Sequence, residues 1–473
     1  MSRKPLLSIT LNPTLGRSLQ DQLFFGLKQQ IQSGLIVTGT SLPSSRDLAR
    51  DLGVSRNTVI AAYDRLSGEG YLETRPRSGI YVTPAIVEGY ATRPNASDRH
   101  NRLHFKASQT ILHDPIPFRP CQPDVRLFPL TLWNRLRLRA LRKFSTGILH
   151  YQSAHALGLP ILRQALALYL HESRGVNCNW EQIAITTGSQ QAIYLLSQIL
   201  LKPGDHVLLE NPGYPGAREA FHKARALIRP LSVDAHGALP PKKIEAAKLI
   251  YTTPSRQFPT GACQPVARRM ALLEFTRKAK AWLLEDDYDS EFRYTRPPMP
   301  SLHSLDVAGR VIYLGTMSKV LFPSLRIGYA VLPPALIHPF ETLRLIMEDH
   351  GPLIDQATLA EFVYSGAFYT HIRRCRKNYA AKLATFLNAA RKHQLPLDFP
   401  HIDGGMNLMG FFREADVNTE AISERLRQQS IMVPSSDFYS IKKTKPGLVF
   451  GFTAFDHNVI REGIESVARV IAR

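Results

Sequence analysis

Cysteine is scarce in this chain of 473 residues. Its four cysteines, Cys121, Cys178, Cys263 and Cys375, stand far apart and form no CxxC pair. That spacing argues against a disulfide framework, offers no paired metal ligands, and fits reduced thiols in a cytoplasmic protein. No window approaches the roughly 18 consecutive apolar residues of a membrane-spanning helix, so no membrane partner is expected. The opening MSRKPLLSITLNPTLGR lacks a long apolar stretch and a small-residue cleavage site, so secretion is not expected. Internal repeats and low-complexity tracts are missing too. Acidic residues are in deficit: 39 Asp and Glu face 59 Lys and Arg, for a net charge of +20. Such an excess favours polyanions, whether nucleic acid or an anionic membrane surface. It is spread along the chain. Residues 1–110 hold 14 basic against 8 acidic side chains, and the remainder 45 against 31.

What is present is ordinary for a globular protein: 44% hydrophobic residues in a length suited to two or three domains. In residues 1–83, Leu19, Leu23, Leu27 and Ile31 recur at helical spacing. Ser44 is placed to cap a helix over Arg46–Leu52, with Gly53 in the left-handed position after it. Ser55 then caps a third helix carrying Val59, Tyr63 and Leu66 on one face. YLETRPRSGIYVT predicts a hairpin with its tip at 75–79. Three helices and a hairpin make a winged helix-turn-helix. In that arrangement the N-terminal residues of the second helix of the motif meet base edges, here Ser55, Arg56, Asn57 and Thr58. Ser44, Ser45 and Arg46 suit phosphate contacts, and Arg75 and Arg77 suit a wing that touches the DNA backbone or minor groove. The competing reading of these helices is an oligomerisation arm.

Residues 84–112, with Pro84, Gly89, Pro94 and Asn95 and weak periodicity, read as a linker. From 113 to 473 short apolar runs alternate with helical patterns: QIAITT, HVLLE, KLIYTTP, AWLLEDD and VIYLGT. This predicts an α/β domain with a mainly parallel sheet, followed by a small α+β lobe in roughly the last 100 residues. One ordered set of residues there suits pyridoxal 5′-phosphate. Lys319, in GTMSK, can form a Schiff base with an aldehyde. Asp286 at a strand end can keep a pyridine nitrogen protonated. Tyr288 can hydrogen-bond the ring oxygen. Gly188, Ser189 and Gln190 open a helix after a strand, where free N–H groups favour phosphate. Thr316, Ser318 and Arg326 bracket the lysine and complete a phosphate cradle. Tyr214, in ENPGYP, offers a face for stacking. Taken singly, EDDYD also reads as a solvated rim or a divalent-metal site, and GSQ as a mere helix cap. The order of the whole set favours the cofactor.

The run LPSSRDLARDLGVSRNTV…AYDRLSGEGYLETRPRSGIYV resembles the DNA-binding domain of the GntR family of bacterial regulators. GSQQA, ENPGYP, YTTPSRQFPTG, EDDYDSEFRY and GTMSK…PSLRIGY resemble the fold-type I aminotransferases. Together they make the chain similar to the MocR subfamily of GntR regulators over nearly its whole length. The resemblance implies a transcription regulator that binds pyridoxal phosphate, forms a head-to-tail homodimer on a double-stranded operator, and senses a small metabolite: an amine, a compound related to amino acids, or the cofactor itself. The other reading is a working aminotransferase with a DNA-binding tail. Four positions depart from the pattern. Val449 stands where the subfamily's arginine grips a substrate carboxylate. Arg256 and Asn407 stand where histidines are usual, and Phe258 where aminotransferases place an asparagine against the ring oxygen. The loss at Val449 predicts that ordinary α-amino acids are poor ligands and that any transamination is weak. Arg256 is the alternative source of the missing charge.

Overall fold

The structure, a computed structural model, describes residues 9–13, 16–76, 78–83, 116–151, 153–241, 247–295 and 299–472. The chain divides into two compact units, Met1–Leu112 and His113–Arg473. The segment read as a linker, 84–112, lies outside the described residues.

In the first unit, α1 (Leu19–Gln32), α2 (Ser45–Leu52) and α3 (Arg56–Gly68) precede a hairpin of β1 (Leu72–Arg75) and β2 (Gly79–Val82). Leu23, Leu27 and Ile31 lie one above the other on α1 and are fully buried. They meet Leu48 of α2, Val59, Tyr63 and Leu66 of α3, and Leu72 and Val82 of the hairpin. Each such side chain gains about 1.5–3 kcal/mol by leaving water, which is what holds so small a unit together. The serines end the helices as read. Ser44 accepts a hydrogen bond from the Asp47 N–H at 3.2 Å, and Ser55 from the Thr58 N–H at 3.1 Å. Gly53 closes α2 with φ +66°, a conformation costly for any residue with a Cβ.

The second unit opens with α4 (Leu130–Phe144) and α5 (Pro160–Arg174). Its central sheet is built from β3 (Ile183–Thr186), β4 (His206–Asn211), β5 (Leu227–Asp234), β6 (Gly237–Ala238), β7 (Leu249–Thr252), β8 (Trp282–Asp287), β9 (Val311–Thr316) and β10 (Gly328–Val331). The spatial order is β3–β10–β9–β8–β7–β4–β5–β6. β9, β8, β7, β4 and β5 are parallel, as the alternating pattern predicts. β10 runs antiparallel between β3 and β9, a reversal that no periodicity in the sequence announces. α6 (Ser189–Leu200), α7 (Pro215–Lys223) and α8 (Val266–Ala279) are among the helices that cross between strands. Strands such as β3, β7 and β9 are buried on both faces, so they read as continuous apolar runs.

The smaller lobe is a three-stranded antiparallel sheet of β11 (Leu397–Asp398), β12 (Asn407–Phe412) and β13 (Gly447–Gly451). The helices Ala367–Lys392, Thr419–Gln428 and His457–Ile471 cover it. It reaches beyond the last 100 residues. Phe118, far back in the chain, is fully buried at its centre, with its ring 5.9 Å from Phe450 and 6.1 Å from Phe386. The Gly451 N–H donates to the Phe118 carbonyl, which stitches the two chain segments together.

Candidate functional site

β3, β4, β7, β8 and β9 all present their carboxyl ends to one side of the sheet, where open α/β sheets place their ligands. The residues that follow them line a cavity of about 1270 Å³. It brings together all ten of the sequence-predicted residues: Gly188, Ser189 and Gln190 after β3, Tyr214 after β4, Asp286 and Tyr288 on and after β8, and Thr316, Ser318, Lys319 and Arg326 on and after β9.

Side-chain alternation along β8 explains how one acidic run serves two purposes. Asp287 turns away from the cavity into an internal network, receiving the Tyr313 hydroxyl at 2.6 Å and pairing with buried Arg174 at 2.7 Å. Glu285 accepts the N–H groups of Leu302 and His303, each at 2.8 Å. Asp286 faces the cavity. Its Oδ2 accepts from the Tyr251 hydroxyl at 2.6 Å, while Oδ1 is buried with no partner among the described residues. Burial, with the charges of Asp287 and Glu210 adding to it, raises the pKa of Asp286 to about 7 against the Tyr251 hydrogen bond and the Lys319 charge. The run is therefore no solvated rim. Among the described residues no group of three or more His, Cys, Asp or Glu is placed to hold a metal ion.

Two further hydroxyls, those of Tyr288 and Ser318, are buried in the cavity wall without partners among the described residues. Burial drives the Tyr288 phenol well above its ordinary pKa, so it stays a donor. At the other end of the cavity the Arg326 guanidinium lies against Gly188. A Cβ there would come within 3.2 Å of the Arg326 Nη2, and φ is +115°, so glycine is needed twice over. Thr316 caps the short helix that holds the lysine, accepting the Ser318 N–H at 3.2 Å. Lys319 Nζ donates to the Cys121 carbonyl at 3.0 Å. Gln190 is partly committed, its amide donating to the Gly216 carbonyl at 2.8 Å.

The sequence reading overlooked three contributors. Tyr251 offered a local signal, since it lies on the strand beside β8. Cys121 lies 198 positions from the lysine that its carbonyl receives, and Tyr439 also comes from a distant segment, so neither had one. Arg256 brings its charge close enough to act on the lining residues Tyr288 and Cys121, but it is not itself part of the lining. It is buried beside Asp289 at 3.5 Å and donates to the Asn407 carbonyl at 2.7 Å. Val449 is fully buried among Phe258, Tyr288, Met409 and Tyr439.

In the first unit, Arg56 and Asn57 are exposed at the start of α3. The hydroxyls of Ser55 and Thr58 lie 2.8 Å apart and already serve the helix start. Arg56 Nε donates to Ser45 Oγ at 3.3 Å, which ties the two helix starts together, and Arg46 is exposed beside them. Ser44 also donates to Asp47 at 2.8 Å. On the hairpin Arg75 pairs with Glu73 at 2.6 Å, with its guanidinium 4.5 Å from the centre of the Tyr81 ring. Arg77 lies outside the described residues.

Comparison with known proteins agrees with this two-part architecture. The profile of the bacterial regulatory proteins of the gntR family matches residues 19–82, and that of aminotransferase class I and II matches residues 141–448. The probable rhizopine catabolism regulatory protein MocR of Rhizobium meliloti is 37% identical over 94% of this chain and 92% of its own length. The chain belongs to the MocR-type regulators of the GntR family. The regulator TauR of Rhodobacter capsulatus is 32% identical over 99% of both chains. Among solved structures, the kynurenine aminotransferase of Pyrococcus horikoshii, in complex with PMP, superposes with a TM-score of 0.70 at 27% identity, covering 76% of this chain and 91% of its own. This MocR-type protein is thus a DNA-binding transcription regulator whose larger part has the fold-type I aminotransferase fold, with pyridoxal 5′-phosphate as its cofactor.

Proposed function

We propose that residues 113–473 hold pyridoxal phosphate and sense a small amine through it, and that residues 1–83, joined by a linker over 84–112, read an operator. The observation that carries this is a cavity with unpartnered polar atoms at its centre: Asp286 Oδ1 and the hydroxyls of Tyr288 and Ser318, in the same wall as Lys319. The donor set fits the cofactor. Asp286 accepts from a protonated pyridine nitrogen and, once paired with that cation, remains ionised. Tyr288 donates to the ring oxygen, and Tyr214 offers its ring face. The N–H groups of Gly188, Ser189 and Gln190 at the start of α6, with Thr316, Ser318 and Arg326, hold the phosphate. Lys319, whose Nζ rests on the Cys121 carbonyl, would anchor the cofactor at its aldehyde. When bound, the cofactor supplies an aldehyde for an amine and a ring that withdraws electrons.

Effector binding then favours one arrangement of a head-to-tail homodimer, and DNA affinity changes by as much as the effector discriminates between arrangements. Arg56 and Asn57 reach base edges, and Ser44, Ser45, Arg46, Arg75 and Arg77 hold phosphates or the minor groove, with Ser55 and Thr58 shaping the helix start. Such a protein works in the cytoplasm. The test is spectroscopic. The full-length protein with added pyridoxal phosphate should turn yellow, and borohydride should fix the label on Lys319. A protein that stays colourless and unlabelled overturns the reading.

A further inference from the structure

We infer that the effector is a primary amine whose amine-bearing carbon carries an apolar group, aromatic or branched aliphatic, and no carboxylate. This rests on the proposal that the cavity binds pyridoxal phosphate. The cavity lining is mixed. Part of it is polar, with Ser189, Ser318, Asn418 and Ser435 and with Arg326 against Gly188. Another part is an aromatic wall, the cluster of Phe258, Tyr288 and Tyr439. Phe258 is its pivot. The rings of Tyr439, Tyr288 and Tyr214 stand edge-on to it at 5.2, 5.6 and 6.0 Å. Val449 and Met409 back this wall at 0% and 2% exposure, which leaves no water behind it.

A carboxylate set against that wall loses its hydration and gains nothing of equal strength, a penalty far above what a hydrocarbon group pays there. The buried cation nearest in the fold does not relieve it. Arg256 lies between the carboxylates of Asp289 and Asp403, donates to the Asn407 carbonyl, and sits outside the cavity lining. Arg119 and Arg427, which do line the cavity, are both exposed to water, where a charge pair gains little, and Arg427 is paired with Glu424 on the helix Thr419–Gln428. An aryl or branched alkyl group, by contrast, buries its surface against Phe258 and Tyr439 and meets ring edges in the geometry aromatic groups prefer.

The experiment uses the full-length protein reconstituted with pyridoxal phosphate and two matched pairs, 2-phenylethylamine with phenylalanine and isopentylamine with leucine. Binding is followed by the change in the visible absorbance band, and DNA binding by fluorescence anisotropy of an operator duplex. The expected result is half-saturation by each amine at a concentration lower by about tenfold or more than its amino acid, the scale on which a buried site separates ligands that differ by one ill-matched group. Val449→Arg should shrink or reverse that preference. Should the variant fail to fold, the wild-type pairs decide alone. An amino acid that binds as well as its amine, or a visible band that neither member of either pair perturbs, overturns the inference. A protein that forms no visible band fails at the cofactor reading beneath it, a distinct outcome that removes the inference as well.

Discussion

The start of α3 and the end of β8 both present polar side chains to a ligand, and they do so in opposite media. Arg56 and Asn57 stand in water, and the serine hydroxyls beside them are satisfied by their own helix starts. Asp286, Tyr288 and Ser318 are 4–8% exposed and hold buried oxygen atoms without partners. The first arrangement costs nothing to keep and gains its energy from phosphate charge and base edges on contact. The second is expensive until filled, because an unpaired buried polar group pays its desolvation in full. A ligand that fills the cavity should therefore stabilise the second unit, whereas the helix starts of the first unit are already satisfied without DNA.

The sharpest break of this contrast is Lys319→Ala, which should abolish the visible band and borohydride labelling together. Asp286→Asn comes next. Loss of a charge-assisted bond to the ring nitrogen should weaken cofactor binding roughly tenfold to a hundredfold, measured by absorbance titration. The same residue gives the cofactor-free protein a pH dependence. Its ordinary value is 3.8 and burial raises it to about 7, so the folded state binds the extra proton between those limits. Stability should then fall as pH rises from about 4 to about 7. Glu285 and Asp289, raised by burial to about 7, act in the same direction. Asp286→Asn should flatten part of the slope, read as urea midpoints across that range. On the exposed side, Arg56→Ala should cost ~1–3 kcal/mol of specific operator affinity while non-specific binding falls less, measured by anisotropy at fixed salt. The smallest effect expected is that of Ser55→Ala, about 1 kcal/mol of stability in the first unit, seen as a lower midpoint of its thermal transition.

Local chemistry was legible wherever the signal was local. Ser44, Gly53 and Ser55 mark helix ends because capping is a matter of neighbouring backbone groups, and Leu23, Leu27 and Ile31 mark a buried face because helical spacing does. The inner parallel strands showed as apolar runs because both faces of the sheet are covered there. β10 did not show as a reversal, since strand direction depends on where the chain returns and not on composition. Phe118 in the small lobe was hidden for the same reason. The EDDYD run was ambiguous in the sequence between rim, metal site and cofactor partner, and burial removed the first of these.

The sequence by itself determined the two-part architecture and the residues that gather in the cavity, because strand-end motifs in a parallel sheet converge on one edge wherever the strands align. Only the tertiary structure decided how those residues are spent. It gave Arg256 to Asp289, the Cys121 carbonyl to Lys319, and Val449 to an aromatic wall. Those assignments join positions more than a hundred residues apart in two of the three cases, and are fixed by which side chains lose water together.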